Sequence, residues 1–109
     1  MAHLVDPRHP DYDAPYLVEG IGGSQCQTNL DLTVIDEAVR VEDATSFHVA
    51  RRLWREEGLL VGGSSGTAVA AALEVAARDD IHGPVVVVLA DSWDRYVSQA
   101  WFSEVAIGD

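Results

Sequence analysis

Lysine is absent from this 109-residue chain, so its seven basic side chains are all arginines. The N-terminal amino group is therefore the one primary amine available for covalent chemistry, and a phosphate loop that depends on a lysine after its glycines is excluded. Positive charge of any kind is scarce. Eighteen acidic residues against seven arginines leave a formal charge of −11, which repels phosphate backbones and anionic membrane surfaces. Neither nucleic acid nor a membrane is an expected partner. A single cysteine, Cys26, permits no internal disulfide and suits a reducing compartment. No apolar run is long enough to span a bilayer, and "MAHLVDPRHPDYD" at 1–13 has no apolar signal core, so a cytoplasmic location is expected. The histidines at 3, 9, 48 and 82 lack metal-ligand spacing.

What remains is the composition of one globular domain, 48% hydrophobic and 23% charged. Prolines at 7, 10 and 15 make a loop of the first stretch, and "YLVEGIGG" at 16–23 reads as a brief strand ending in a glycine turn. "TVIDEAVRV" at 33–41 has the alternation of a strand. Asp43 is placed to cap a helix over 44–57, with an apolar stripe of Ala44, Phe47, Ala50, Leu53 and Trp54 and a stop at Gly58. A helix after Gly66, "TAVAAALEVAA", is apolar on nearly every face. "PVVVVLA" at 84–90 is the uninterrupted run of a parallel strand covered on both sides, and a loop and short helix follow it. The order predicts an α/β fold, parallel strands with covering helices. Two good helices are few for an all-apolar helix and a doubly covered strand, so the chain reads as the interior of a larger domain.

The turn "LLVGGSSGTAVAAAL" at 59–73 carries the chemistry. Gly62-x-Ser64-x-Gly66 fits the pattern of a hydrolase nucleophile, but the acid and histidine that such a serine needs do not follow it, since His82 alone comes later. As a phosphate cradle, the turn offers backbone N–H groups at a helix start and no specific side chain. Ser64 and Ser65 could equally serve as helix N-caps. Cys26 reads as an inert small residue, and the tryptophans as packing.

Three blocks taken together narrow these options. "VEGIGG" at 18–23, "VIDEAVRVEDATSFHVARRLWREEGLLVGGSSGTAVAAALEVA" at 34–76 and "VVVVLADS" at 85–92 resemble, in order, the C-terminal part of the cysteine synthase/cystathionine β-synthase family. The resemblance runs from about Val5 to Tyr96, and "EEGLLVGGSSG" is its most specific segment. It implies the C-terminal portion of a fold type II pyridoxal-phosphate domain, occupying 1–109, whose enzymes replace the β-substituent of serine or an activated serine with a sulfur or nitrogen nucleophile.

By position, Ser64 would share a hydrogen bond with the pyridine nitrogen of pyridoxal phosphate and keep that nitrogen neutral. Gly20, Ile21 and Gly22 would lie beside the ring and the amino-acid substrate, and Asp91 and Ser92 near the ring-nitrogen end. The resemblance departs from cystathionine synthases at "GSQCQTN" (23–29), where those enzymes are aromatic and apolar with a proline. It also leaves out the Schiff-base lysine and the Gly/Thr-rich phosphate loop, which lie upstream in the family. The expectation is half of an active site. Either a partner chain supplies the lysine-bearing half, or the chain self-associates, and cofactor binds only when the site is completed. The alternative is a catalytically silent fragment, or a module of this ancestry that binds a small molecule or a protein partner.

Overall fold

Two helices form the frame on which everything else hangs: α1 (Asp43–Arg52) and α2 (Gly63–Ala76). They belong to a computed structural model in which residues 17, 18, 21 and 27–107 are described. A 3-10 turn (Leu32–Val34) precedes them, and a second one (Trp93–Tyr96) and helix α3 (Ala100–Ile107) follow.

Helix α1 starts one residue before the predicted 44, and by a different device. Glu42 occupies the N-cap without a side-chain bond, and the Asp43 carboxylate instead accepts from the Leu17 N–H at 2.7 Å and the Val18 N–H at 3.3 Å. One acid thereby ties a distant segment to the helix start. The last turn of α1 widens into a π-helical turn at Leu53–Glu57, and Gly58 ends it with φ of 68°. The Leu53 carbonyl accepts from both the Gly58 and Leu59 N–H groups, a glycine-based C-cap that a β-carbon would strain. The Gly58 stop is as predicted.

Packing between α1 and α2 is set by small residues. Ser46, Phe47, Val49 and Ala50 are the buried face of α1. Phe47 and Ala50 were expected there. Leu53 and Trp54 are half-buried and Ala44 is exposed, so the buried face is rotated toward Ser46 and Val49. The cause lies across the interface, at Gly66. A β-carbon on Gly66 would overlap the Ser46 carbonyl oxygen and lie 2.9 Å from the Ala50 nitrogen, so α2 passes with its backbone against α1. The hydroxyls at the crossing satisfy one another: Thr67 donates to Ser46 Oγ at 2.7 Å, and Ser46 donates to the Glu42 carbonyl at 3.1 Å.

The predicted strands do not form among the described residues, where the one β-type pairing is an isolated antiparallel bridge between Val61 and Ser92. At 33–41 the chain makes the 3-10 turn and then runs irregularly to residue 42. Asp31 nucleates the turn, its carboxylate accepting from the Thr33 N–H at 2.9 Å and the Thr33 hydroxyl at 2.6 Å. The apolar run at 84–90 has no ladder neighbour among the described residues, and a strand without one has no hydrogen bonds to define it. The strand expected at 16–23 lies mostly outside the described residues.

The irregular stretch is held by Glu37, whose carboxylate accepts two bonds from Arg78 at 2.6 and 2.7 Å. The Arg78 guanidinium holds the Glu37 carboxyl below its ordinary value. A depressed carboxyl stabilises the fold above its unfolded value and loses that contribution as pH falls through the folded one. Glu37→Gln is therefore expected to lower the thermal midpoint slightly at neutral pH and to match the parent in acid, checked by melting both proteins across the carboxylate range. The pair is solvent-exposed, so the difference is small.

Candidate functional site

The N-terminal end of α2 carries Ser64 and lies beside Asp91 and Ser92. Helix α2 begins at Gly63, four residues before the expected 67, with Gly62 as N-cap at φ −79° and ψ 175°. Both serines therefore sit inside the first turn, Ser64 at its second position and Ser65 at its third, and neither is the cap. Glycine and serine are weak helix formers, so the early start is a tertiary effect. A β-carbon on Gly62 would lie 2.5 Å from the Tyr96 ring, and one on Gly63 would lie 2.9 Å from the Phe47 ring. The turn is clamped between two aromatic side chains.

Further bonds fix the approach to this turn. Trp54 Nε1 donates to the Val61 carbonyl at 2.6 Å. The Gly62 N–H donates to the Asp91 carbonyl at 3.0 Å, and the Trp93 N–H to the Leu60 carbonyl at 3.1 Å. Asp91 and Ser92 thus lie beside the start of α2, the helix that carries Ser64 in its first turn. The Asp91 carboxylate accepts from the Tyr96 hydroxyl at 2.6 Å and pairs with Arg95 at 3.8 Å, while Ser92 Oγ lies 3.5 Å from the Leu60 carbonyl. Behind the turn, the Trp93 and Phe102 rings stack at 5.4 Å and Trp54 tilts onto Phe102 at 5.8 Å.

On its other side the turn meets Val18, whose Cγ1 is 3.7 Å from the β-carbon position of Gly63. The Asp43 carboxylate thereby holds Leu17 and Val18 at the same end of α2. Ile21 is 38% exposed. Gly20 and Gly22, like Cys26, lie outside the described residues.

The chemistry on offer is donation. Helical geometry leaves the first amides of α2 without an acceptor one turn earlier, so this end carries partial positive charge. Ser64 is half-buried there. Ser65 is 1% exposed and its hydroxyl has no hydrogen-bond partner, an unsatisfied polar group at the same helix start. Among the described residues no group of three or more His, Cys, Asp or Glu side chains could hold a metal ion, and no helix is long and apolar enough to cross a membrane.

Sequence reasoning missed Tyr96, Trp54 and Asp43 as the residues that fix the turn. Tyr96, five residues beyond Asp91, was legible as an aromatic and not as a clamp.

Residues 2–91 match the family described as "Pyridoxal-phosphate dependent enzyme". The chain belongs to that family, and its sequence is similar to cysteine synthases and a cystathionine β-synthase. It is 41% identical over 92 residues to cysteine synthase A of Salmonella typhi, covering 84% of this chain and 28% of that protein. It is 44% identical over 90 residues to cystathionine β-synthase of Apis mellifera, covering 79% of this chain and 18% of that one. The O-acetylserine-dependent cystathionine β-synthase of Helicobacter pylori superposes with a TM-score of 0.68 at 38% identity, over 79% of this chain and 28% of the other. The chain therefore spans less than a third of the length of these relatives.

Proposed function

We propose that this chain supplies the ring-nitrogen side of a pyridoxal-phosphate site for β-replacement on a small amino acid, and that a lysine-bearing polypeptide completes the site. The observation that carries the reading is Ser64 on the first turn of α2, whose N-cap Gly62 donates to the Asp91 carbonyl, in a sequence with no lysine. When bound, the cofactor supplies an electron sink for carbon-acid chemistry.

The described residues fit one end of that cofactor. Ser64 would hold the ring nitrogen through its hydroxyl, which suits a neutral nitrogen better than a carboxylate would. Asp91 and the Tyr96 hydroxyl keep the turn in place behind it. Gly20, Ile21 and Gly22 would line the ring and substrate, where glycine admits close backbone approach. The covalent amine and the phosphate contacts would come from the completing polypeptide, so the chain alone would be inactive. The parallel-strand part of the α/β architecture would likewise form on completion.

The test is co-expression with the lysine-bearing portion of a relative such as the Salmonella typhi cysteine synthase A, followed by cofactor analysis. Ser64→Ala is expected to leave occupancy largely intact, since one hydrogen bond contributes about 0.5–1.5 kcal/mol to a covalently held group. It should shift the ring absorption and lower turnover. Ser65→Ala, which removes a hydroxyl without a partner, should do neither. Equal behaviour of the two variants, with absorption and turnover unchanged, would reduce Ser64 to a helix residue and favour a silent fragment.

A further inference from the structure

We propose that Arg51 is a carboxylate-binding site, and that the acid it takes is an aspartate or glutamate side chain of the lysine-bearing polypeptide. This rests on the two-polypeptide reading above and names one contact by which that polypeptide would be held.

Arg51 lies in the last turn of α1. The residue is half-buried as a whole, but its Nε and Nη2 atoms are out of solvent and neither has a hydrogen-bond partner. Those two nitrogens form one edge of the guanidinium plane, whose parallel N–H groups match the two oxygens of a carboxylate. The neighbouring Arg52 shows that edge in use. Its Nε and Nη2 donate to the two carboxylate oxygens of Glu56, each at 2.9 Å. At Arg51 the same edge is buried without an acceptor. A guanidinium stays charged when buried, and a buried charge without a partner is costly. The partial negative charge at the end of α1 offsets some of that cost and supplies neither bond.

The described acids nearby do not serve it. One turn away on either side along the helix stand Phe47, His48, Trp54 and Arg55, so no carboxylate has the spacing that pairs Arg52 with Glu56. Asp43 is occupied by the Leu17 and Val18 amides, and the one acid of α2, Glu74, pairs with Arg78 at 3.7 Å. Glu104 on α3 is exposed. A second copy of the chain is a poor source, because each copy carries a formal charge of −11. The completing polypeptide has more to offer, since this chain covers 28% of cysteine synthase A of Salmonella typhi and most of a domain lies outside the match.

The contact would also bear on the cofactor site. Arg51 falls between Phe47 and Trp54 at helical spacing, so the three share one side of α1. Phe47 lies against the Gly63 position, and Trp54 donates to the Val61 carbonyl. A carboxylate seated on Arg51 would brace the side of α1 that holds the Ser64 turn.

The experiment compares the isolated chain with its assembly on a tagged lysine-bearing portion of Salmonella typhi cysteine synthase A. Arg51→Met removes an uncompensated charge from the isolated chain and is expected to raise its melting temperature by about 4 °C or more. In the assembly the same change leaves the opposing carboxylate unpaired and should weaken association by more than about thirtyfold. The opposite signs separate this role from packing, whose loss would lower both. Arg51→Lys keeps the charge without the fork and should recover only part of the association. One Asp→Asn or Glu→Gln change in the tagged polypeptide should reproduce the loss and add little to Arg51→Met. If Arg51→Met lowers the melting temperature of the isolated chain, and Glu104→Gln or another acid-to-amide change in this chain does the same, the carboxylate is supplied in cis and the proposal is wrong. Unchanged association of Arg51→Met, or no coupled acid in the tagged polypeptide, also overturns it and leaves the two-polypeptide reading standing. Failure of the parent to associate overturns that reading, and the source named here with it.

Discussion

Gly66→Ala is expected to undo the α1–α2 interface. Judged by local preference alone, the change should help, because alanine in a helix interior is favoured over glycine by about 1 kcal/mol. The crossing decides otherwise. The new β-carbon would occupy the space of the Ser46 carbonyl oxygen and press on the Ala50 nitrogen, and both neighbours are backbone atoms that no rotamer change can move. The helices must separate, exposing Phe47 and Ala50 and breaking the Thr67–Ser46 bond. Overpacking of a tight site commonly costs about 1–3 kcal/mol, and a clash with main chain belongs at or above the top of that range. Against a total stability of about 5–15 kcal/mol for a typical domain, much of the cooperative transition is lost. Thermal or denaturant unfolding followed by circular dichroism checks this. A Gly66→Ala protein with an unchanged midpoint would mean the helices do not cross as described.

Ser64→Asp should separate folding from function. A carboxylate in the first turn of α2 interacts favourably with the helix N-terminus, by about 0.3–1 kcal/mol, so the isolated chain should melt no lower than the parent. In the completed enzyme the same carboxylate would hold a proton on the ring nitrogen that the serine leaves neutral. Turnover is expected to fall about a hundredfold, the scale on which losing one preorganised donor acts in other active sites. Steady-state kinetics beside a melting curve make the comparison. Loss of stability with turnover retained would contradict the role given to Ser64.

Short-range signals were the ones readable without coordinates. Gly58 ends α1 because its φ of 68° is a local requirement, and the glycine–serine turn is legible because its residue types differ so sharply from the alanines that follow. The start of α2 was misplaced because propensity argues against Gly63, Ser64 and Ser65, whereas Phe47, Val18 and Tyr96 pack against the turn and override it. The same holds for Asp43. Its position suggested a cap, and its carboxylate goes to amides 25 and 26 residues away, which no local pattern announces. The runs at 33–41 and 84–90 carry strand-like patterns, yet a strand is a property of two segments. Pattern alone cannot supply the neighbour. For the site, resemblance pointed to Ser64, Asp91 and Ser92, and the structure adds the Tyr96 and Arg95 contacts that hold Asp91.

The central claim is that this chain contributes the ring side of the cofactor site and another polypeptide contributes the amine. Borohydride reduction of the co-purified assembly with pyridoxal phosphate, followed by peptide mapping, addresses it directly. Reduction fixes the cofactor to whichever amine holds it. The expected result is a stoichiometric adduct on one lysine of the completing polypeptide, with none on this chain beyond trace reaction at its N-terminus. A specific adduct at an internal residue of this chain, or an assembly that takes up no cofactor at all, would contradict the account.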